Sequence, residues 1–220
     1  MAETAHIDGV IEPPAPSLVK CLVAELLGTF FLTLTALFAP PEILVISIGV
    51  VVLAVVIAIA NVSGGHINPA VTIGAIAVGA IPVGKGIAYM VAQTAGAFLA
   101  VILQQAVVGG AWPATNPPMP GHAFIFELLG DLFFLFIIIR VVISGLDIAA
   151  IGLAIGGAIM IAVAIAAGHS GGILNPAIGL ALLVGNIQAG SPANFLAYII
   201  APLLGGVIGG LLGKFLAPSE

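Results

Sequence analysis

An eight-residue motif that occurs twice constrains the fold more than any other feature of the chain. The copies read SGGHINPA at residues 63–70 and SGGILNPA at residues 170–177. Each Asn-Pro pair opens a short apolar segment, at 68–78 and at 175–184. Asn caps the free amides of a helix start and Pro suits the first helical turn. The motif therefore predicts two short helices at equivalent places in the chain.

The chain is too apolar to fold as a soluble domain. Only 6% of its 220 residues are charged and 61% are hydrophobic, whereas soluble domains carry roughly a quarter charged residues. We therefore expect a lipid bilayer to surround the protein. The net charge is −5 and no basic patch exists, so nucleic acid is not expected as a partner.

Six apolar stretches are long enough to cross a hydrocarbon core, which takes about 20 helical residues. They are residues 18–39, 43–62, 85–108, 124–144, 148–167 and 195–216. The two segments behind the motifs would rise only about 15 Å, half of that core. Non-helical backbone at such depth must be buried in protein or line a wet cavity. The predicted fold is an all-α multi-pass membrane protein with six transmembrane helices plus two re-entrant half-helices.

The two halves of the chain repeat each other beyond the motif. AELLGTFFL at 24–32 matches FELLGDLFF at 126–134, and YMVAQTAG at 89–96 matches YIIAPLLG at 198–205. Each half holds three spans, an odd number, so the halves form an inverted internal repeat. The predicted organisation is a mobile N-terminal tail at 1–16, a first repeat at 17–108, a Pro-rich connecting loop at 109–122 and a second repeat at 123–217.

The few basic residues predict the orientation. In this topology Lys20, Lys85, Arg140 and Lys214 all fall on one face, which should be cytoplasmic. We therefore expect a protein of the cell membrane with both termini in the cytoplasm and the connecting loop outside.

Two of the predicted spans carry further motifs beside the paired Asn-Pro-Ala motifs. Span one carries Ala-Glu-x-x-Gly-Thr-Phe from Ala24, and span three carries Ala-Gln-x-x-Gly-Ala from Ala92. Together these motifs resemble the aquaporin, or major intrinsic protein, family over residues 18–216. The resemblance implies six tilted helices, two half-helices that meet at the bilayer centre, and a homotetramer with one pore per subunit.

The meeting point of the half-helices is the predicted centre of the pore. The motif residues expected there are Asn68, Pro69, Ala70, Asn175, Pro176 and Ala177. Each helix N-terminus carries roughly half a positive charge, and both Asn side chains would aim amide donors at a passing molecule. A water that accepts from both breaks the hydrogen-bonded wire that a proton needs, and the field repels cations. In the alternative interpretation the two Asn residues are helix caps only.

Backbone carbonyls would supply acceptors on either side of that centre, at Gly64, Gly65 and His66 and at Gly171, Gly172 and Ile173. Their glycines leave the backbone accessible because they lack a side chain. In addition, His66 is expected to line the pore, and His169 should lie near the outer mouth. A lone histidine in each place predicts no metal site, and no cofactor is expected.

The selectivity filter departs from the family's pattern. The resemblance implies an Arg after the second motif, with an aromatic residue in span two and residues in span five and the outer loop. The matching positions here are Ile178, Ile48, Val163 and Gly172. Because this ring is apolar and lacks the cation, we expect it to select poorly by hydrogen bonding, and an apolar constriction can dewet.

Three acids lie within apolar spans. Glu25 and Glu127 are repeat partners, and we expect each to hold the amides of its half's re-entrant loop. Asp131 has Thr29 as its repeat partner and is predicted to be structural, either sharing a proton with Glu127 or sitting in a wet crevice. An intramembrane acid is also a functional candidate by default.

These features predict a passive channel for water or small uncharged solutes. Ammonia, hydrogen peroxide or a dissolved gas, with little water flux, remains open as the cargo. Two other classes also remain open: a proton-coupled transporter and a structural membrane protein with a vestigial pore. No nucleophile–base pair is evident, so an enzyme is not expected.

Overall fold

The computed structural model describes residues 15–109, 120–185 and 192–218. Most of the predicted N-terminal tail and of the connecting loop lies outside these residues. All regular secondary structure in the described part is helical, without a strand. Its helices are α1 (Leu18–Phe38), α2 (Leu44–Ser63), α3 (Pro69–Ala77), α4 (Val83–Val108), α5 (Pro120–Val142), α6 (Ile148–Ser170), α7 (Pro176–Gly185) and α8 (Pro192–Phe215).

Six of these helices have membrane length. Among the described residues α1, α2 with its preceding turn, α4, α6 and α8 are long and apolar enough to cross a bilayer. Helix α5 has 23 residues and is the sixth, although it carries Glu127, Asp131 and Arg140. The half-helices α3 and α7 have 9 and 10 residues, about 14 and 15 Å of rise. The predicted fold of six spans and two half-helices is confirmed.

Three helices begin at least two residues earlier than predicted. Helix α4 begins at Val83 rather than at 85, because Pro82 is the residue that precedes it as N-cap. Helix α5 begins at Pro120, so its first turn lies within the predicted connecting loop. Helix α8 begins at Pro192 and contains a π-helical turn at Leu196–Ile200, which the apolar pattern gave no reason to expect.

The two halves interlock. Within each half the first span packs on the second and third, α1 on α2 and α4, and α5 on α6 and α8. Across the halves α2 packs on α6, while α3 packs on α8 and α7 packs on α4. Each half-helix therefore rests on the last span of the opposite repeat. We call the end of the bundle where α1 and α6 end and α2 and α5 begin the outer end.

Glycines let these helices approach closely. Gly205 and Gly209 of α8 face backbone carbonyls of α5, and a Cβ at Gly209 would collide with the carbonyl oxygen of Leu132. On the next face of α8, Gly206 meets the carbonyl oxygen of Ala70 and Gly210 meets Gly74 of α3. Small residues at this spacing are typical of packed membrane helices.

We expect Gly209→Ala to lower the thermal stability of the detergent-solubilised protein, because the added methyl group has no room. Overpacking of this kind destabilises by about 1–3 kcal/mol. The control is Gly157→Ala in α6, where a Cβ would meet nothing within 4 Å. Circular dichroism melts of both variants would contradict the packing account if their midpoints were equal.

Candidate functional site

The two loops that precede the half-helices have the same backbone conformation. In each loop φ is positive at three equivalent positions: 95° at Gly64, 64° at Gly65 and 46° at Ile67, and 94° at Gly171, 66° at Gly172 and 48° at Leu174. A β-branched residue such as Ile67 rarely adopts this left-handed region. Such strain persists only where the surroundings hold the chain firmly.

A buried carboxylate holds the first loop. Glu25 Oε1 accepts hydrogen bonds from the Ser63 hydroxyl at 2.6 Å and the His66 backbone N–H at 2.9 Å. Its Oε2 accepts from the Ile67 N–H at 2.6 Å. Because Glu25 is fully buried, these donors cannot bond to bulk water, and the carboxylate is their acceptor.

Glu127 holds the second loop in the same way. Its Oε1 accepts from the Ser170 hydroxyl at 2.5 Å and the Ile173 N–H at 2.9 Å, and its Oε2 from the Leu174 N–H at 2.6 Å. The two loops thus use the same three kinds of donor at repeat-equivalent positions.

Tyrosines add a support that the sequence analysis did not assign. The Tyr89 hydroxyl donates to the Ser63 carbonyl at 2.9 Å, and the Tyr198 hydroxyl donates to the Ser170 carbonyl at 2.6 Å. The sequence feature that could have revealed this support is that both tyrosines are the first residue of a repeated segment, YMVAQTAG or YIIAPLLG.

The repeat is not symmetric around the two acids. Gln93 Nε2 donates to Glu25 Oε2 at 2.8 Å, but its repeat partner is Pro202, which has no such donor. Asp131 is fully buried and neither of its carboxylate oxygens has a hydrogen-bond partner. It therefore neither shares a proton with Glu127 nor lies in a wet crevice, and both expectations for it are wrong. Nothing in the structure explains its presence.

The two motif asparagines cap their helices and also bridge the repeats. Asn68 Oδ1 accepts from the Ala70 N–H at 2.8 Å, and Asn175 Oδ1 accepts from the Ala177 N–H at 3.0 Å. Asn68 Nδ2 donates to the carbonyl of Leu174 at 2.7 Å, and Asn175 Nδ2 donates to that of Ile67 at 3.1 Å. A primary amide has two N–H donors, so one on each Asn is left for a passing molecule.

Two cavities adjoin at this bridge. An outer cavity of about 170 Å³ lies along residues 44–52 of α2 and 159–163 of α6. An inner cavity of about 320 Å³ lies along residues 52–60 of α2 and 148–155 of α6. Both are lined by Val52, His66 and Ile67. The cavities therefore follow one another along the bundle axis and meet beside the first motif.

The sequence-predicted residues lie along this path. The outer cavity is lined by the four filter positions Ile48, Val163, Gly172 and Ile178, by Gly171 and Ile173, and by both motif asparagines. Gly64, Gly65 and His66 line the inner cavity. Pro69, Ala70 and Ala177 are buried behind them in the half-helix starts, where Pro176 is the first residue of α7.

Neither cavity presents a charge from Lys, Arg, Asp or Glu among the described residues. His66 is the ionisable side chain at the junction of the cavities, and its Nδ1 lies 3.2 Å from the Thr72 hydroxyl. Apart from His66, Asn68 and Asn175, the walls are aliphatic side chains, Phe134 and loop backbone. Hydrogen bonding along the path must come from the backbone, the two amides and His66.

Six membrane-length helices that enclose two inverted half-helices and an axial path define a membrane channel protein. Comparison with known proteins agrees: the family model described as "Major intrinsic protein" matches residues 15–145 and 115–220. The chain belongs to this family, and it is an aquaporin-like channel for water and small solutes.

Among its relatives, the chain is 33% identical over 189 residues to Aquaporin NIP1-4 of Oryza sativa subsp. japonica, covering 78% of this chain and 69% of that protein. It is 30% identical over 173 residues to Nodulin-26 of Glycine max, covering 71% and 64%. The chain thus spans about two thirds of the length of these relatives. The solved aquaglyceroporin of Plasmodium falciparum superposes with a TM-score of 0.72 at 24% identity, covering 89% of this chain and 95% of that one, which shows the fold.

We expect Glu127→Gln to destabilise the protein and reduce its flux. Glutamine has the same size but replaces one acceptor oxygen by an NH₂ group. A buried donor of the loop then loses its acceptor, which costs about 1–3 kcal/mol of stability. Thermal melts and liposome flux would be measured together. The control is Glu42→Gln at the exposed turn before α2. Equal stability of the two variants would contradict the role of Glu127 in the loop.

Proposed function

We propose that the two cavities form the conducting path of this channel and that it favours small uncharged solutes of low polarity, with water as a slower cargo. The observation that carries the proposal is the outer cavity, where Ile48, Val163 and Ile178 present only branched aliphatic side chains. Ammonia or a dissolved gas is the cargo class that suits these walls best.

Desolvation is the reason for this preference. A polar molecule that passes an aliphatic ring gives up hydrogen bonds to water without replacement, and an unreplaced hydrogen bond costs several kcal/mol in an apolar setting. A polyol such as glycerol loses several at once, whereas ammonia or a gas loses few. A water molecule regains partners only on reaching the free amide donors of Asn68 and Asn175.

Ions would be excluded at the asparagine bridge. Both half-helices point their N-termini at the junction, each with roughly half a positive charge. In this proposal the remaining amide donors orient a passing water and interrupt the proton wire. The filter contributes no charge, so the centre is the main barrier to cations.

The subunit arrangement and orientation are further parts of the proposal. The path lies within one chain, so a homotetramer would hold one pore per subunit. At the inner end Lys214 donates to the Val78 carbonyl at 2.8 Å and Arg140 donates to the Leu216 carbonyl at 2.8 Å. These contacts support a basic inner face, which we propose to be cytoplasmic, with the chain in the cell membrane and both termini inside.

A liposome panel tests this function. Stopped-flow swelling and dye assays would compare water, glycerol, ammonia and hydrogen peroxide, each with and without a proton gradient. We expect ammonia flux above that of empty liposomes, little glycerol flux, and no effect of the gradient. Flux that requires the gradient would indicate a transporter, and no flux of any solute would indicate a structural protein.

Replacing Ile178 by Arg should change relative permeabilities, because it adds a charge and several donors to the outer cavity. We expect ammonia flux relative to water flux to fall by about tenfold, which takes 1.4 kcal/mol. Ile178→Leu keeps the wall apolar and is the control. If the ratio of permeabilities in the Arg variant equals that of the Leu variant, Ile178 does not belong to the filter.

Replacing Asn68 by Asp should raise cation leak, because it sets a negative charge between the two half-helix ends. An increase of about tenfold or more is expected, since 1.4 kcal/mol suffices. Asn61→Asp makes the same change at an exposed position of α2. A pH-sensitive dye in loaded liposomes reports the leak. A large proton leak in the unmutated protein would refute the central barrier.

A further inference from the structure

Two histidines that are distant in sequence meet at the outer end of the bundle. His122 lies in the first turn of α5 and His169 in the last turn of α6. Their ring centroids are 5.7 Å apart. Phe126 stacks on His169 at a centroid distance of 3.6 Å and an interplanar angle of 7°. In the sequence His169 is a lone histidine, because no motif pairs it with His122.

No hydrogen bond within the described part of the chain fixes either ring. His169 Nδ1 is buried and has no partner, whereas Nδ1 of His66 faces the Thr72 hydroxyl. A buried polar atom without a partner is uncommon in folded proteins and requires an explanation. Stacking on Phe126 fixes the orientation of the His169 ring plane and does not use the ring nitrogens as donors or acceptors. His122 is exposed and His169 is partly exposed, so ions can reach the pair at the outer end.

We propose that His122 and His169 form a binding site for a divalent transition cation at the outer end of the channel. Imidazole nitrogens suit Cu²⁺, Zn²⁺ and Ni²⁺. A metal held about 2.0–2.1 Å from one nitrogen of each ring allows the centroids to be up to roughly 6 Å apart. The observed separation is within this reach.

The site supplies two protein ligands. Among the described residues, no group of three or more His, Cys, Asp or Glu side chains could hold a metal. The nearby Glu127 already accepts three hydrogen bonds from its loop. Water completes the coordination shell, so the cation binds reversibly and a chelator removes it.

Occupancy should reduce flux through the pore. Only Ser170 separates His169 from the loop that holds Gly171 and Gly172, and both glycines line the outer cavity. A bound cation links the start of α5 to that loop and adds positive charge at the mouth. This consequence rests on the proposed conducting path, whereas binding itself does not.

Binding is tested with Cu²⁺ alone on the full chain, purified without a histidine tag. Electron paramagnetic resonance should show hyperfine coupling to two imidazole nitrogens in the unmutated protein and to one in His122→Ala or His169→Gln. Each substitution should raise the dissociation constant about tenfold or more, a change of 1.4 kcal/mol. His6→Ala is the control and should change neither property. Unaltered Cu²⁺ binding in the double variant His122→Ala/His169→Gln would overturn the site.

Flux is tested in liposomes with Cu²⁺ added outside and then removed with EDTA. We expect Cu²⁺ to inhibit the unmutated channel reversibly and not to inhibit His122→Ala. Because His122 is exposed, this substitution should leave the fold intact, so misfolding would not account for the lost inhibition. Two-nitrogen binding without inhibition would refute the link to the pore and leave the site standing. Absence of flux without any metal would refute the proposed function, while the resonance signal would still decide the site.

Discussion

The fold depends on two carboxylates that replace water inside the membrane. A chain that turns at mid-depth exposes backbone N–H groups, and the bilayer offers them no acceptor. Glu25 and Glu127 each accept from two such groups and from a serine hydroxyl. With the donors satisfied, the loops can hold the left-handed conformation of Ile67 and Leu174. That conformation sets where the half-helices begin, and hence where the motif asparagines lie.

The proposed conducting path lies at the interface between the two repeats. Each half-helix packs on the last span of the other half, and glycines at the α3–α8 crossing bring the backbones together. Asn68 and Asn175 then donate across the junction to carbonyls of the opposite loops. The same side chains therefore cap the helices, join the halves and line the outer cavity. If the proposed path conducts, a change at the junction acts on stability and on conduction together.

The two halves share a backbone plan and differ in side chains around it. Gln93 supports Glu25, while Pro202 at the equivalent place offers no donor and lies just after a π-helical turn. Proline cannot donate a backbone hydrogen bond, and π turns often occur where a helix is locally rearranged. A glycine is needed beside this turn at position 179, because a Cβ on Gly179 would lie only 2.7 Å from the Tyr198 carbonyl oxygen. The second repeat thus departs from the first where α8 packs beside α7.

The spans, the half-helices and the inverted repeat follow from the sequence alone, because length, apolar content and helix caps are local properties of the chain. The repeat also paired Glu25 with Glu127, whereas the expected filter positions came from the resemblance to the major intrinsic protein family. The three-dimensional arrangement was needed to see that Asp131 has no partner. It was also needed to find the contacts between distant residues, the donation of Asn68 to Leu174 and the approach of His122 to His169. These contacts join residues far apart in the chain, and their distances follow from how closely the helices pack, which no local pattern encodes.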